Sequence, residues 1–166
     1  MKKIISSILK VCNESKNKTL KSGSNEAIEI KKNLYLILDQ LKTKYTIDEK
    51  KYDFHISLGF GYFPKIPWAG ITKKGQRVSA HKSVCMCFSP IGEGFVFGAM
   101  APFPGEYGKL ITITRNPKEE KIISLIGGDS NTSYNNKFFN PLDFFKNDPI
   151  GKKFDDHFDE SIRLLN

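Results

Sequence analysis

The chain has 166 residues, 39% hydrophobic and 12% aromatic, which is enough apolar matter for a buried core and too much for a disordered segment. That length predicts one domain over residues 1–166, and no apolar run approaches the ~20 residues needed to cross a bilayer. The formal net charge of +8 is unevenly placed: residues 1–82 hold 17 Lys/Arg against 7 Asp/Glu, and residues 83–166 hold 9 against 11, so the first half carries the whole excess and favours a polyanionic partner.

Met1 to Lys10 begins like the charged start of a signal peptide, but Lys10 interrupts the apolar block. Ile4, Ile5, Ile8, Leu9 and Cys12 recur at helical spacing and predict an amphipathic helix instead. Residues 13–25 are polar and read as a loop. Ser24 or Asn25 can cap a second helix, striped by Ile30, Leu34, Ile37, Leu38 and Leu41. Tyr52 to Leu58 alternates Phe54, Ile56 and Leu58 with Asp53, His55 and Ser57, the pattern of a half-buried strand. It leads straight into Ser57-Leu58-Gly59-Phe60-Gly61-Tyr62-Phe63-Pro64-Lys65-Ile66-Pro67-Trp68, where glycines allow tight turns and prolines stiffen the backbone. Trp68 to Ile71 predicts a second strand, with Lys73-Lys74-Gly75-Gln76 as the turn after it.

Val84 to Phe88 and Gly94 to Gly98 predict a hairpin across Ser89-Pro90-Ile91-Gly92-Glu93. Leu110 to Thr114 and Ile122 to Ile126 are further β-branched strand candidates, and Gly127 to Asn136 is a loop by composition. Asn140-Pro141, with Asp143 near the positive end of a dipole, predicts a helix that Pro149 and Gly151 end. Phe154, Phe158, Ile162 and Leu165 mark a closing helix. The order of elements is α+β, with a central, mostly antiparallel sheet flanked by N- and C-terminal helices.

Chemical motifs are few. Gly70 to Arg77 is similar to a phosphate-binding P-loop, but Gln76-Arg77 stand where Lys-Ser/Thr must follow the second glycine, leaving a basic hairpin turn. Cys85 and Cys87 share one face of a strand and lack the partners of a zinc site, so they are expected to be buried thiols. Three cysteines without a pairing pattern fit a reducing, cytoplasmic setting. Glu119-Glu120-Lys121 contains the acid-x-Lys element of metal-dependent nucleases, which would need a second acid such as Glu93 or Glu106. It comes after Asn116-Pro117-Lys118, a turn signature, and reads as a solvated turn. No histidine has a recognisable nucleophile partner, so no catalytic residue, metal or cofactor is expected.

The aromatic turn has two readings at this point: Phe60, Tyr62, Phe63 and Trp68 could plug the end of a small sheet core, or stack on bases. Lys65, Lys73, Lys74, Arg77 and Lys82 around it favour nucleic acid, with cations for phosphates and rings for bases.

The Ser57–Trp68 segment, continued by a Gly-x-x-basic stretch and Val84-Cys85-Met86-Cys87-Phe88-Ser89, resembles the N-terminal DNA-binding domain of McrB-like proteins, the specificity parts of McrBC-type modification-dependent restriction systems. The match is strongest over residues 54–98, and the Ile66-Pro67-Trp68 block with its upstream glycines is its most specific part. The resemblance implies a non-catalytic domain that binds double-stranded DNA and flips a modified cytosine, such as 5-methylcytosine, into a pocket. Carried over by position, Phe60 matches the aromatic wedge that fills the vacated stack, a place the family often gives to tyrosine. Trp68 matches a ring stacked on the flipped base, and Tyr107 and Tyr134 are candidates for further pocket walls by residue type alone. Lys65, Lys73, Lys74, Arg77 and Lys82 would then engage the DNA backbone. The AAA+ GTPase motor domain and the nuclease subunit of such a system would lie elsewhere in the complex. A site-specific duplex reader that does not flip bases is the alternative, and a small metal-dependent nuclease around Glu119 and Lys121 the enzymatic one.

Overall fold

The structure is a computed structural model that describes residues 1–78, 83–100, 142–147 and 150–166. Within it the fold is α+β, with α1 (Lys2–Ser15), α2 (Asn25–Lys44), β1 (Tyr52–Ile56), β2 (Trp68–Lys73), β3 (Ser83–Phe88), β4 (Gly94–Met100), β5 (Leu142–Phe145) and α3 (Lys152–Leu165). The strands form one antiparallel sheet in the order β1-β2-β3-β4-β5. No helix among the described residues is long and apolar enough to cross a membrane.

Each helix forms where its apolar stripe can be buried. Ile5, Ile8, Leu9 and Cys12 of α1 and Ile30, Leu34, Ile37, Leu38 and Leu41 of α2 enter one core. Ser24 caps α2, its hydroxyl accepting from the Ala27 N–H at 3.2 Å. Ser7 ties the pair across their polar edge, donating to Glu29 at 3.0 Å and accepting from Asn33 at 3.2 Å.

Alternation along the strands sorts the sheet into two faces. Ala69, Ile71, Val84, Met86, Phe88, Phe95, Phe97 and Phe144 join the helices in the main core. Cys85, Cys87 and Val96 point the other way and form a second buried cluster with Ile66, Trp68, Val78 and Phe145 at its edge. The main core is dominated by rings. Phe95 stacks on Phe144 at 5.1 Å, Phe97 on Phe158 at 5.6 Å, and Phe154 meets Phe97 at 4.9 Å. Such pairs add about 0.5–1.5 kcal/mol each beyond the area they bury.

The helix predicted from Asn140-Pro141 is instead a strand. Leu142–Phe145 pairs with β4, Phe144 facing the main core and Phe145 the second cluster. Two neighbouring aromatics with buried sites on opposite faces need a period of two, and this outweighs a local cap signal. The strand candidates Leu110 to Thr114 and Ile122 to Ile126, the loop Gly127 to Asn136, and Lys82, Glu106, Tyr107, Glu119, Lys121 and Tyr134 lie outside the described residues.

Candidate nucleic-acid interface

The antiparallel meander gathers several connections at one end of the sheet. These are the β1–β2 loop (residues 57–67), the β3–β4 turn (residues 89–93) and the residues after β5, with the end of α1 and the α1–α2 loop beside them. Ser57 and Trp68 close the neck of the β1–β2 loop: Ser57 N–H donates to the Trp68 carbonyl at 2.9 Å, and Trp68 N–H to the Ser57 hydroxyl at 3.1 Å.

Above that neck the rings separate into different environments. Phe63 is 4% exposed and packs into the main core. Phe60 is 101% exposed and Tyr62 62%, with Leu58 beside them at 55%. Trp68 is half-buried against the second cluster, on the sheet face away from the helices. Phe63 therefore plugs the core, as one reading of the turn expects, while Phe60 and Tyr62 face solvent.

Phe60 is displayed by a backbone with little freedom. Tyr62 N–H donates to the Phe60 carbonyl at 2.8 Å, a three-residue turn around Gly61, whose φ is 71°. Gly59 has φ 72°, and a Cβ there would lie 2.4 Å from the Tyr62 carbonyl oxygen. Only glycine fits both demands. The loop is also fastened to the α1–α2 loop: Ser22 N–H donates to the Gly61 carbonyl at 3.0 Å, Phe63 N–H donates to the Leu20 carbonyl at 2.8 Å, and Lys21 bridges Tyr62.

The structure divides the predicted cations. Lys65 is exposed at this end, beside the loop tip. Lys73, Lys74 and Arg77 sit at the other end of β2, about 17 Å along the strand from Trp68 at the usual rise per residue. There Lys73 donates to the Asn166 carbonyl at 2.9 Å, and Lys74 pairs with Asp53 at 2.6 Å. Lys74, and after it the Gly75 N–H, holds the Asp53 carboxyl below the usual aspartate range. His55, on the same strand, is shifted down by burial and meets the Thr72 hydroxyl at 2.9 Å.

Other lysines, absent from the sequence expectation, lie at the loop's end of the sheet. Lys16, Lys18 and Lys21 of the α1–α2 loop and Lys146 after β5 are exposed at the same end as Phe60. None of them, nor Lys65, forms an ion pair among the described residues. The signal was present as three lysines in six residues, Lys16 to Lys21, without an acid. Nothing local links that run to a loop forty residues onward.

The thiols of β3 are fully buried, and burial pushes Cys85 up to about 11 and Cys87 further above its ordinary range. Cys12 is pushed up to about 12 by the same cause. Among the described residues no three His, Cys, Asp or Glu side chains gather where they could hold a metal ion. The chain matches no protein-family model, no curated protein and no solved structure.

Proposed function

We propose that this chain is a non-catalytic DNA-recognition domain that presses the β1–β2 loop against a duplex and inserts Phe60 into the base stack. The observation that carries this reading is a fully exposed phenyl ring on a turn fixed by two positive-φ glycines and by hydrogen bonds to a neighbouring loop. A free protein gains nothing from an exposed phenylalanine, whereas burying one is worth about 1.5–3 kcal/mol. Holding the backbone in place lowers the ordering cost when a partner covers the ring. Apolar wedges between base steps use this arrangement, and the exposed lysines around the tip supply the phosphate attraction.

The resemblance to McrB-like domains takes the reading further. Under it the vacated position belongs to a flipped, modified cytosine and Trp68 stacks on that base. A GTPase motor domain and a nuclease subunit would then use the complex for restriction in the cytoplasm. Trp68 at the loop neck leaves the wedge and the stacking ring on one short segment, which suits that division of work.

The test is binding to matched duplexes that differ only in cytosine modification, at several salt concentrations. The reading expects affinity to fall steeply with salt and the modified duplex to bind more tightly. A flat salt response removes DNA as the partner. Equal affinity for both duplexes leaves a reader that does not flip modified bases.

A further inference from the structure

Lys16, Lys18 and Lys21 lie in a stretch with no acid between Ser15 and Asn25. Lys16, at the end of α1, also complements the negative end of that helix dipole. Lys18, Lys21 and Lys65 lie beyond the last turn, where that effect has decayed, so helix electrostatics leaves them without a role. A cavity of about 50 Å³ has Lys16, Lys18, Lys65, Ser15 and Thr19 as its polar lining, over an apolar floor that includes Leu20, Ile30, Phe63 and three prolines. Open grooves adjoin it on both sides. One shares Lys18 and continues past Lys21 to Gly61, next to the wedge, with Glu26 also on its wall; the other shares Lys16 and continues to Lys146, with Glu93 also on its wall.

We propose that this run of grooves is a track for a phosphodiester backbone, with Lys16, Lys18 and Lys65 around a single phosphate in the central cavity. The proposal rests on the DNA reading and specifies which side chains carry its charge. The cavity is too small for a nucleoside, and Phe63, the ring that lines it, is buried in the core and offers no stacking face. Phosphate is the part of a polynucleotide that fits lysines and hydroxyls in such a space. The grooves open on either side give the strand a way in and a way out. The bonds from Ser22 to Gly61 and from Phe63 to Leu20 make the lysine loop and the wedge one unit, so phosphate register fixes where Phe60 enters the stack.

The test measures fluorescence anisotropy of a labelled duplex over a sodium chloride series. It compares wild type, a Lys16→Ala/Lys18→Ala/Lys65→Ala triple variant, the corresponding triple arginine variant, and a Lys50→Ala/Lys51→Ala control at the opposite end of the sheet. Each phosphate contact contributes about 0.9 to the slope of log affinity against log salt. The alanine triple should therefore lose about 1 from the slope and bind at least about tenfold more weakly at low salt. The arginine triple and the control should keep the wild-type slope. An unchanged slope in the alanine triple, with wild type binding normally, overturns the track and leaves the DNA reading standing. Failure of wild type to bind the duplex overturns both. Inorganic phosphate that binds wild type and not the alanine triple, yet leaves duplex affinity unchanged at constant ionic strength, assigns the cavity to a free anion and also overturns the track. All three lysines are exposed and only Lys16 has a helix-dipole role, so the alanine triple should unfold within about 4 °C of wild type, which excludes misfolding as the cause.

Discussion

Replacing Gly59 and Gly61 separately by alanine gives two perturbations alike in backbone conformation and unlike in space. Both glycines have positive φ, 72° and 71°, where a Cβ costs about 1–2 kcal/mol, offset by about 0.4–1 kcal/mol from a less free unfolded chain. Nothing lies within 4 Å of a Cβ at Gly61, so Gly61→Ala should cost about 1 kcal/mol. A Cβ at Gly59 meets the Tyr62 carbonyl oxygen at 2.4 Å, the Ser22 hydroxyl at 2.7 Å and the Phe63 Cα at 3.0 Å. Two of those three are backbone, and Phe63 N–H is held by Leu20, so relief means dislodging the turn. Overpacking of this kind adds about 1–3 kcal/mol, bringing Gly59→Ala to about 2–4 kcal/mol. For a chain of this size that lowers Tm by about 5–15 °C, against a few degrees for Gly61→Ala. Urea unfolding monitored by far-ultraviolet circular dichroism supplies both values, and anisotropy with labelled duplex supplies the functional counterpart, which should also fall further for Gly59→Ala. Equal costs for the two substitutions, or a larger one at Gly61, would refute the claim that close backbone packing fixes the Phe60 turn.

The remaining predictions concern charge and reactivity. Cys12, Cys85 and Cys87 are buried with raised thiol pKa values, so a disulfide-exchange reagent at pH 8 should leave all three unmodified in the folded protein and label all three in denaturant; rapid labelling of Cys85 under native conditions would contradict the burial of β3. Asp155 accepts from Lys44 and Tyr45, which hold its carboxyl below the usual aspartate range. A depressed folded-state value means stabilisation present above the unfolded-state value, near 4, and lost as pH falls below it through the folded-state value. Asp155→Asn should therefore lower stability at pH 7 by about 1 kcal/mol or less and flatten the acid limb of a stability–pH curve; an acid limb unchanged from wild type would show that the contact does not link α2 to α3.

Much of this fold is legible where burial is one-sided. The stripes of α1, α2 and α3 repeat at helical spacing because each helix has a single buried face, and β1 to β4 alternate or punctuate clearly enough to be placed. Leu142–Phe145 is not legible in the same way. Its aromatics are adjacent, and Asn140-Pro141 with Asp143 carries a local helix-start pattern. Only the tertiary fact that Phe144 and Phe145 have buried sites on opposite faces of the sheet decides for a strand.

The candidate site divides similarly. The Ser57–Trp68 segment is conspicuous through its glycines, prolines and rings, yet which ring faces water depends on the packing of Phe63 beneath α2. Charge was the weaker guide. Lys73 and Lys74 are close to Trp68 in sequence, but an extended strand carries them away from the loop to partners at Asn166 and Asp53. Lys16, Lys18 and Lys21 arrive at the loop by contact between distant segments, which no local pattern encodes.

The central claim, that Phe60 enters the stack of a bound duplex, is tested most directly by a fluorescent base analogue placed beside the target base in a duplex carrying a modified cytosine. Wild type should raise the analogue's emission as the stack opens. Phe60→Ala should keep its stability, because the ring is fully exposed, and keep its salt slope, while losing about 1–3 kcal/mol of affinity and the emission change. An emission rise of equal size with Phe60→Ala, or tight wild-type binding with no rise, would contradict the account.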